Sequence, residues 1–163
     1  MPTITAVPIA FFRKLCWPAG LALLLGAPVH AEELKVESTE VRLSAMGPAV
    51  LLRVGNRAIP VLVDPIVAES IQAALGGRKP LRPLTHDLMH NVLSAFDGRV
   101  TRVVVTLHEG IFYGALTVVV RGSSKVFDSR SSDAIALAIH SGAPILVSRQ
   151  LLDATGVDLE ERK

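Results

Sequence analysis

The chain has one cysteine in 163 residues, and that residue, Cys16, lies close to the start. Any domain built from the remainder therefore has no disulfide, no thiol nucleophile and no thiolate metal site, and its stability rests on packing alone. Aromatic residues are equally scarce, at 4%, too few for a surface on which several bases stack in succession. There is no Gly-rich phosphate loop, no dinucleotide fingerprint and no nucleophile elbow, and no order of Ser, His and Asp marks a triad. Repeats, low-complexity runs and long Pro/Gly/Ser linkers are missing as well, so a single domain is expected. What is abundant is apolar side chain: 50% of residues are hydrophobic against 20% charged, which excludes disorder.

Acid is absent from the first 31 residues, which carry Arg13 and Lys14, an apolar run from Leu15 to Ala27, and the small-residue ending Val29-His30-Ala31. That order describes a secretory signal peptide cleaved before Glu32, and predicts a periplasmic or secreted protein. Pro18 and Gly20 interrupt the run, which is shorter than the roughly 20 apolar residues that span a bilayer, so no stable membrane association is expected after cleavage. Without this segment 132 residues remain, with 15 basic and 15 acidic side chains. A neutral chain exerts no global pull on a polyanion, and phosphate binding has to be local.

Along residues 32–156 the pattern mixes strands and helices. Val36–Leu43 alternates like a half-buried strand, and two short apolar runs around Gly55-Asn56-Arg57 read as a hairpin. Pro65–Leu75 has helical spacing with Pro in the first turn and Gly76-Gly77 as its stop. A second helix is expected from a Thr85 cap to Ala95, with Leu84, Leu88, Val92 and Phe96 as its apolar face. Two valine-rich strands, Val100–His108 and Ile111–Arg121, flank the Glu109-Gly110 turn, and their apolar character on both sides places them at the centre of a sheet. Lys125–Ser129 reads as a shorter strand, Asp133–Ser141 as a helix capped by Ser132 and stopped by Gly142, Pro144–Ser148 as a last strand, and Gln150–Thr155 as a helical turn. The polar tail 157–163 is expected to fray. Interspersed strands and helices without strict alternation predict a mixed α/β (α+β) domain: a twisted mixed sheet, a valine-rich central hairpin and three main helices.

Candidate chemistry gathers in the middle, where eight Lys/Arg and four acids fall between Arg78 and Arg130. This basic stretch fits a phosphate-binding face or an ordinary solvated surface. His86-Asp87-Leu88-Met89-His90 has two histidines one helical turn apart beside an acid, the spacing of a zinc helix, though no third ligand is evident and a structural role serves equally. The densest stretch is Asp128-Ser129-Arg130-Ser131-Ser132-Asp133, where a strand gives way to a helix. A helix N-terminus beside Arg130 suits a phosphate, and Asp128 with Asp133 suits a divalent cation. Capping by Ser132 and an Asp128–Arg130 ion pair account for the same residues without chemistry.

Three words in this sequence together resemble the bifunctional nuclease domain family of bacteria and plants: Arg82-Pro83-Leu84-Thr85-His86-Asp87-Leu88, Phe112-Tyr113-Gly114-Ala115-Leu116, and Asp128–Ala138 followed by Ala143-Pro144-Ile145. The resemblance spans about Val36 to Gly156. It implies a compact mixed α/β domain, homo-oligomers, and phosphodiester hydrolysis on DNA or RNA. Two positions depart from the family pattern: Ser131 stands where Pro is usual, and Val67-Ala68 where Glu-Ala is usual. Joined to the residue chemistry, the resemblance predicts a nuclease with Asp87, Asp128 and Asp133 as catalytic and metal carboxylates for Mg or Mn. His86 is then an acid/base, and Arg82, Arg130 and Ser132 bind substrate. A non-catalytic binding or assembly module that keeps the fold is the alternative.

Overall fold

The computed structural model describes residues 32–159. The expected leader and the end of the polar tail lie outside the described residues. The elements run β1 (Glu33–Lys35), β2 (Ser38–Ser44), β3 (Gly47–Val54), β4 (Arg57–Leu62), α1 (Pro65–Leu75), α2 (Thr85–Ala95), β5 (Gly98–His108), β6 (Ile111–Val120), β7 (Ser123–Arg130), α3 (Ser131–Ser141), β8 (Ile145–Ser148), α4 (Arg149–Thr155) and β9 (Val157–Asp158). This is the mixed α+β architecture, with three eleven-residue helices and one shorter one among the described residues. Among the described residues no helix is long and apolar enough to cross a membrane.

The strands divide between two sheets rather than forming one. A five-stranded mixed sheet has the order β1-β8-β5-β6-β7, with β5 and β8 parallel. A four-stranded antiparallel sheet has the order β2-β3-β4-β9. The valine-rich hairpin β5–β6 does lie at the centre of the larger sheet, joined through Glu109-Gly110 at φ 50° and 79°, the left-handed pair that a tight hairpin requires. Only one of its faces is covered. Val103, Val105, Leu116 and Val118 are buried, whereas Val104, Ala115, Thr117 and Val119 on the opposite face are half-buried. β-branched residues are favoured on any pleated surface, so a valine run marks a strand without showing that both of its faces are packed.

α3 is the central helix. Its sequence is apolar on nearly every side, and Ala134, Ile135, Ala136, Leu137 and Ala138 are all buried. It lies across β5 and β6 where Gly114 lets the backbones approach: a Cβ at that position would meet the Ala134 Cβ at 2.6 Å. α1 packs against α3 on one side and the smaller sheet on another, so the core is continuous between the two sheets.

Three boundary expectations are corrected. Thr85 is the first residue of α2 and Leu84 its N-cap; the Leu84 N–H donates to the Asp87 carboxylate at 3.1 Å. Likewise α3 begins at Ser131 with Arg130 as N-cap, which puts Ser132 inside the helix and buries it at 8% exposure. A serine cap competes here with burial of the first turn against the sheet, and burial prevails. The start of the tail does not fray: Val157–Asp158 pair with β4, and the Arg57 guanidinium donates to the Gly156 carbonyl at 2.8 Å.

A fourth difference concerns α2. Its predicted apolar face points to solvent, with Leu88, Val92 and Phe96 at 53%, 47% and 61% exposure, and His86 is its one fully buried residue. The helix packs on α3 and β5 through the opposite side.

Candidate active site

β7 ends and α3 begins beneath the first turn of α2. This brings His86 to Asp133, 47 residues later in the chain, with Nε2 and Oδ1 3.2 Å apart. Asp133 also receives both Nε and Nη2 of Arg130, at 2.8 and 3.1 Å. Burial alone would raise the Asp133 carboxyl, but the hydrogen bonds from Arg130 and His86 outweigh it and hold the group below the usual carboxylate range. The remaining Arg130 nitrogen, Nη1, donates to Asp64 Oδ2 at 3.2 Å across from the start of α1.

Behind His86 stands a second imidazole. The His86 and His140 rings are stacked, 6.4 Å between centroids and 16° from parallel. His140 Nδ1 faces Asp87 Oδ1 at 3.5 Å, and its Nε2 meets the Ser70 hydroxyl at 2.9 Å. Ser70 is fully buried, so this Ser–His–Asp line ties α1, α3 and α2 together and offers no nucleophile to a solvent-borne substrate. Burial lowers the His140 pKa, against the opposing pull of Asp87.

The His86–Asp133–Arg130 group forms the polar end of a cleft of about 1160 Å³. Leu116, Val118, Val120 and Leu137 line its apolar part, α1 and α2 contribute Ile66, Val67, Met89 and Leu93, and β7 contributes Lys125, Phe127 and Asp128. Lys125 Nζ sits 5.2 Å over the Phe127 ring. The cleft exists because α3 and α2 cover β5 and part of β6 but leave the β6–β7 edge open.

Of the residues expected to carry function, His86, Asp133 and Arg130 are in direct contact, and Asp128 lines the same cleft. Asp87 is one residue from His86 but turns to the Leu84 N–H and to His140. Arg82 is exposed on the connector before α2 and is not among the cleft-lining residues; neither is the buried Ser132. Arg130 pairs with Asp133 and Asp64, not with Asp128. The two histidines of the zinc spacing part company, since His90 Nδ1 meets the Ser141 hydroxyl at 3.2 Å.

The three carboxylates expected to share a Mg or Mn ion do not converge. Among the described residues no three His, Cys, Asp or Glu side chains are grouped to hold one metal ion. Asp133 spends both oxygens on Arg130 and His86, and Asp87 spends its own on a backbone N–H and His140. This donor set does not fit a three-carboxylate site. Reasoning from sequence missed Asp64, Ser70 and His140. Asp64 carried a signal, an acid directly before the helix-opening Pro65; the other two are ordinary helix residues until the fold joins them.

A mixed α+β domain with a His–Asp–Arg cluster at the end of an apolar cleft defines the class, and the sequence profile of the bifunctional nuclease domain matches residues 50–160. The chain belongs to that family. It is similar to two uncharacterized proteins of Mycobacterium tuberculosis, from strains CDC 1551 / Oshkosh and H37Rv. Each is 34% identical over 128 residues, which is 77% of this chain and 76% of the relative.

Proposed function

We propose that the cleft hydrolyses phosphodiester bonds of DNA or RNA. The observation that carries this reading is the convergence of His86, Asp133 and Arg130 at the cleft's polar end. Asp133 fixes the His86 ring through Nε2, which leaves Nδ1 as the nitrogen that moves a proton. Water attacks phosphorus, the bond to the leaving oxygen breaks, and a proton passes from the water to that oxygen through His86, with exposed Asp128 as the second proton carrier. Arg130 holds a non-bridging oxygen and offsets the charge that builds in the transition state. Arg82 and Ser132 take no part in this reading, because neither reaches the cleft. No step is routed through a metal ion, since Asp87 and Asp133 are already committed to nitrogen partners.

Purified protein lacking residues 1–31 is assayed on a labelled oligonucleotide, with and without chelator, beside His86→Gln and Asp133→Asn. Each variant is expected to lose about 10²-fold or more in rate, and chelation to leave the wild-type rate in place. Equal degradation by wild type and variants identifies a contaminant and ends the assignment. Loss in chelator with recovery in Mg or Mn identifies carboxylates that regroup around a cation.

Export of the chain is a further part of the proposal. The Arg149 side chain is bonded to the Glu32 carboxylate at 2.7 and 3.0 Å, so cleavage before Glu32 leaves that anchor of the fold intact. Intact mass of protein recovered outside the cytoplasm is expected to correspond to a chain starting at Glu32; a mass that includes residues 1–31 overturns it. A second reading, an assembly module that forms homo-oligomers, is favoured by the exposed apolar side of α2.

A further inference from the structure

We propose that Asp64 is an internal competitor for the anion that Arg130 is placed to hold, and so sets how tightly the cleft retains a phosphate group. The inference rests on the phosphodiester reading and adds to it a residue that determines affinity and specificity.

Asp64 stands at the N-cap of α1 with extended backbone, φ −65° and ψ 149°. Aspartate there ordinarily accepts a hydrogen bond from the second or third helical N–H. Its side chain accepts none; it reaches out of the helix to Arg130 Nη1 instead, at 3.2 Å. The geometry of Arg130 explains what it meets. The Nε–Nη2 edge of the guanidinium is filled by Asp133. That leaves the Nη1–Nη2 end of the guanidinium for a ligand, and the Asp64 carboxylate occupies part of it, on Nη1, where a phosphate oxygen would accept.

Two further features suit a contact that yields. Both Asp64 and Arg130 are 66% exposed, so the pair is worth little and opens readily, whereas Asp133 is more enclosed and keeps Arg130 in position. Asp64 also lines the cleft, so a ligand entering there meets the contact directly. A phosphodiester that brings its own charge displaces the carboxylate; an uncharged ligand of the same shape gains nothing from Arg130 and leaves the gate closed.

Asp64→Asn removes the charge and keeps a good N-cap, and Asp64→Ser does the same with a smaller side chain. Glu69→Gln makes an equal charge change at an exposed position of the same helix. Binding is measured in chelator at fixed salt, with inorganic phosphate followed by the NMR shift of the Arg130 Nε–H and a short single-stranded oligonucleotide followed by anisotropy. Both Asp64 variants are expected to bind about two- to fivefold tighter than wild type, Glu69→Gln to match wild type, and the gain to vanish when Arg130→Gln is added. Unchanged affinity in the Asp64 variants overturns the proposal, as does an equal gain in Glu69→Gln or a gain that survives Arg130→Gln. Binding by no protein in the set overturns the phosphate reading and the competitor with it, an outcome distinct from normal binding that ignores Asp64.

Discussion

Asp133 is a partly buried carboxylate whose two oxygens serve Arg130 and His86, while His140, stacked behind His86, has a buried imidazole. Both are displaced from their ordinary titration in the same sense. A histidine whose folded pKa is lowered takes up its proton less readily in the folded chain than in the unfolded one, so acid favours unfolding as pH falls below about 6.5. A carboxylate held low contributes stability that is complete above its ordinary pKa and is lost as pH falls through its folded value. Melting temperature is therefore expected to be level above neutrality, to decline as pH falls below about 6.5 on account of His140, and to fall again below about pH 4 on account of Asp133. Circular dichroism melts across that range test this, and His140→Gln is expected to flatten the first decline. A flat wild-type curve from pH 7.5 to 5 would show that burial of His140 has no energetic consequence. At this scale the sequence singled out His86, Asp128, Arg130 and Asp133, because acids, histidines and arginines crowd element boundaries. It did not single out which of them touch. Asp87 and Asp133 looked equivalent, and only their neighbours separate a helix-capping carboxylate from one aimed at the cleft.

At the scale of elements, helix and strand positions were legible to within a few residues, because Pro65 opens a helix and Gly77, Gly110 and Gly142 take the left-handed backbone that ends helices and turns hairpins. Which side of an element is buried was less legible. The spacing Leu84, Leu88, Val92, Phe96 marks one side of α2, yet burial falls on the side carrying His86, since that is the side α3 and the sheet present. Hydrophobic periodicity reports that a helix has an apolar stripe, not what covers it. Gly114 shows the same dependence on a partner. In sequence it is a glycine within a strand; in the structure it is the point where α3 rests on β6. Gly114→Ala is expected to cost about 1–3 kcal/mol by overpacking against Ala134. Because Ala134 adjoins Asp133, cleavage is expected to drop as well. A urea midpoint unchanged from wild type would show that the helix can lift away without loss.

At the scale of the whole molecule the exposed side chains draw the eye. Leu88, Val92 and Phe96 on α2 and Val126 on the edge strand β7 stand in solvent, with Leu81 fully exposed on the connector before α2. An exposed apolar stripe such as that of Leu88, Val92 and Phe96 marks association surfaces. The chain lacking residues 1–31 is expected to sediment as an oligomer and Val92→Lys to shift it towards monomer without changing its circular dichroism. A monomeric wild type at micromolar concentration would refute the assembly reading and leave the cleft as the molecule's main feature.

Composition and local pattern determined that this chain folds through apolar burial without disulfides, where its turns and helix ends fall, and which short stretches hold its chemistry. These follow from dihedral preferences and side-chain type, which act over a few residues. The division into two sheets, the open β6–β7 edge, the outward stripe of α2 and the meeting of His86 with Asp133 were decided by tertiary packing. Each depends on residues tens of positions apart competing for the same buried volume, and a linear pattern carries no record of which competitor wins.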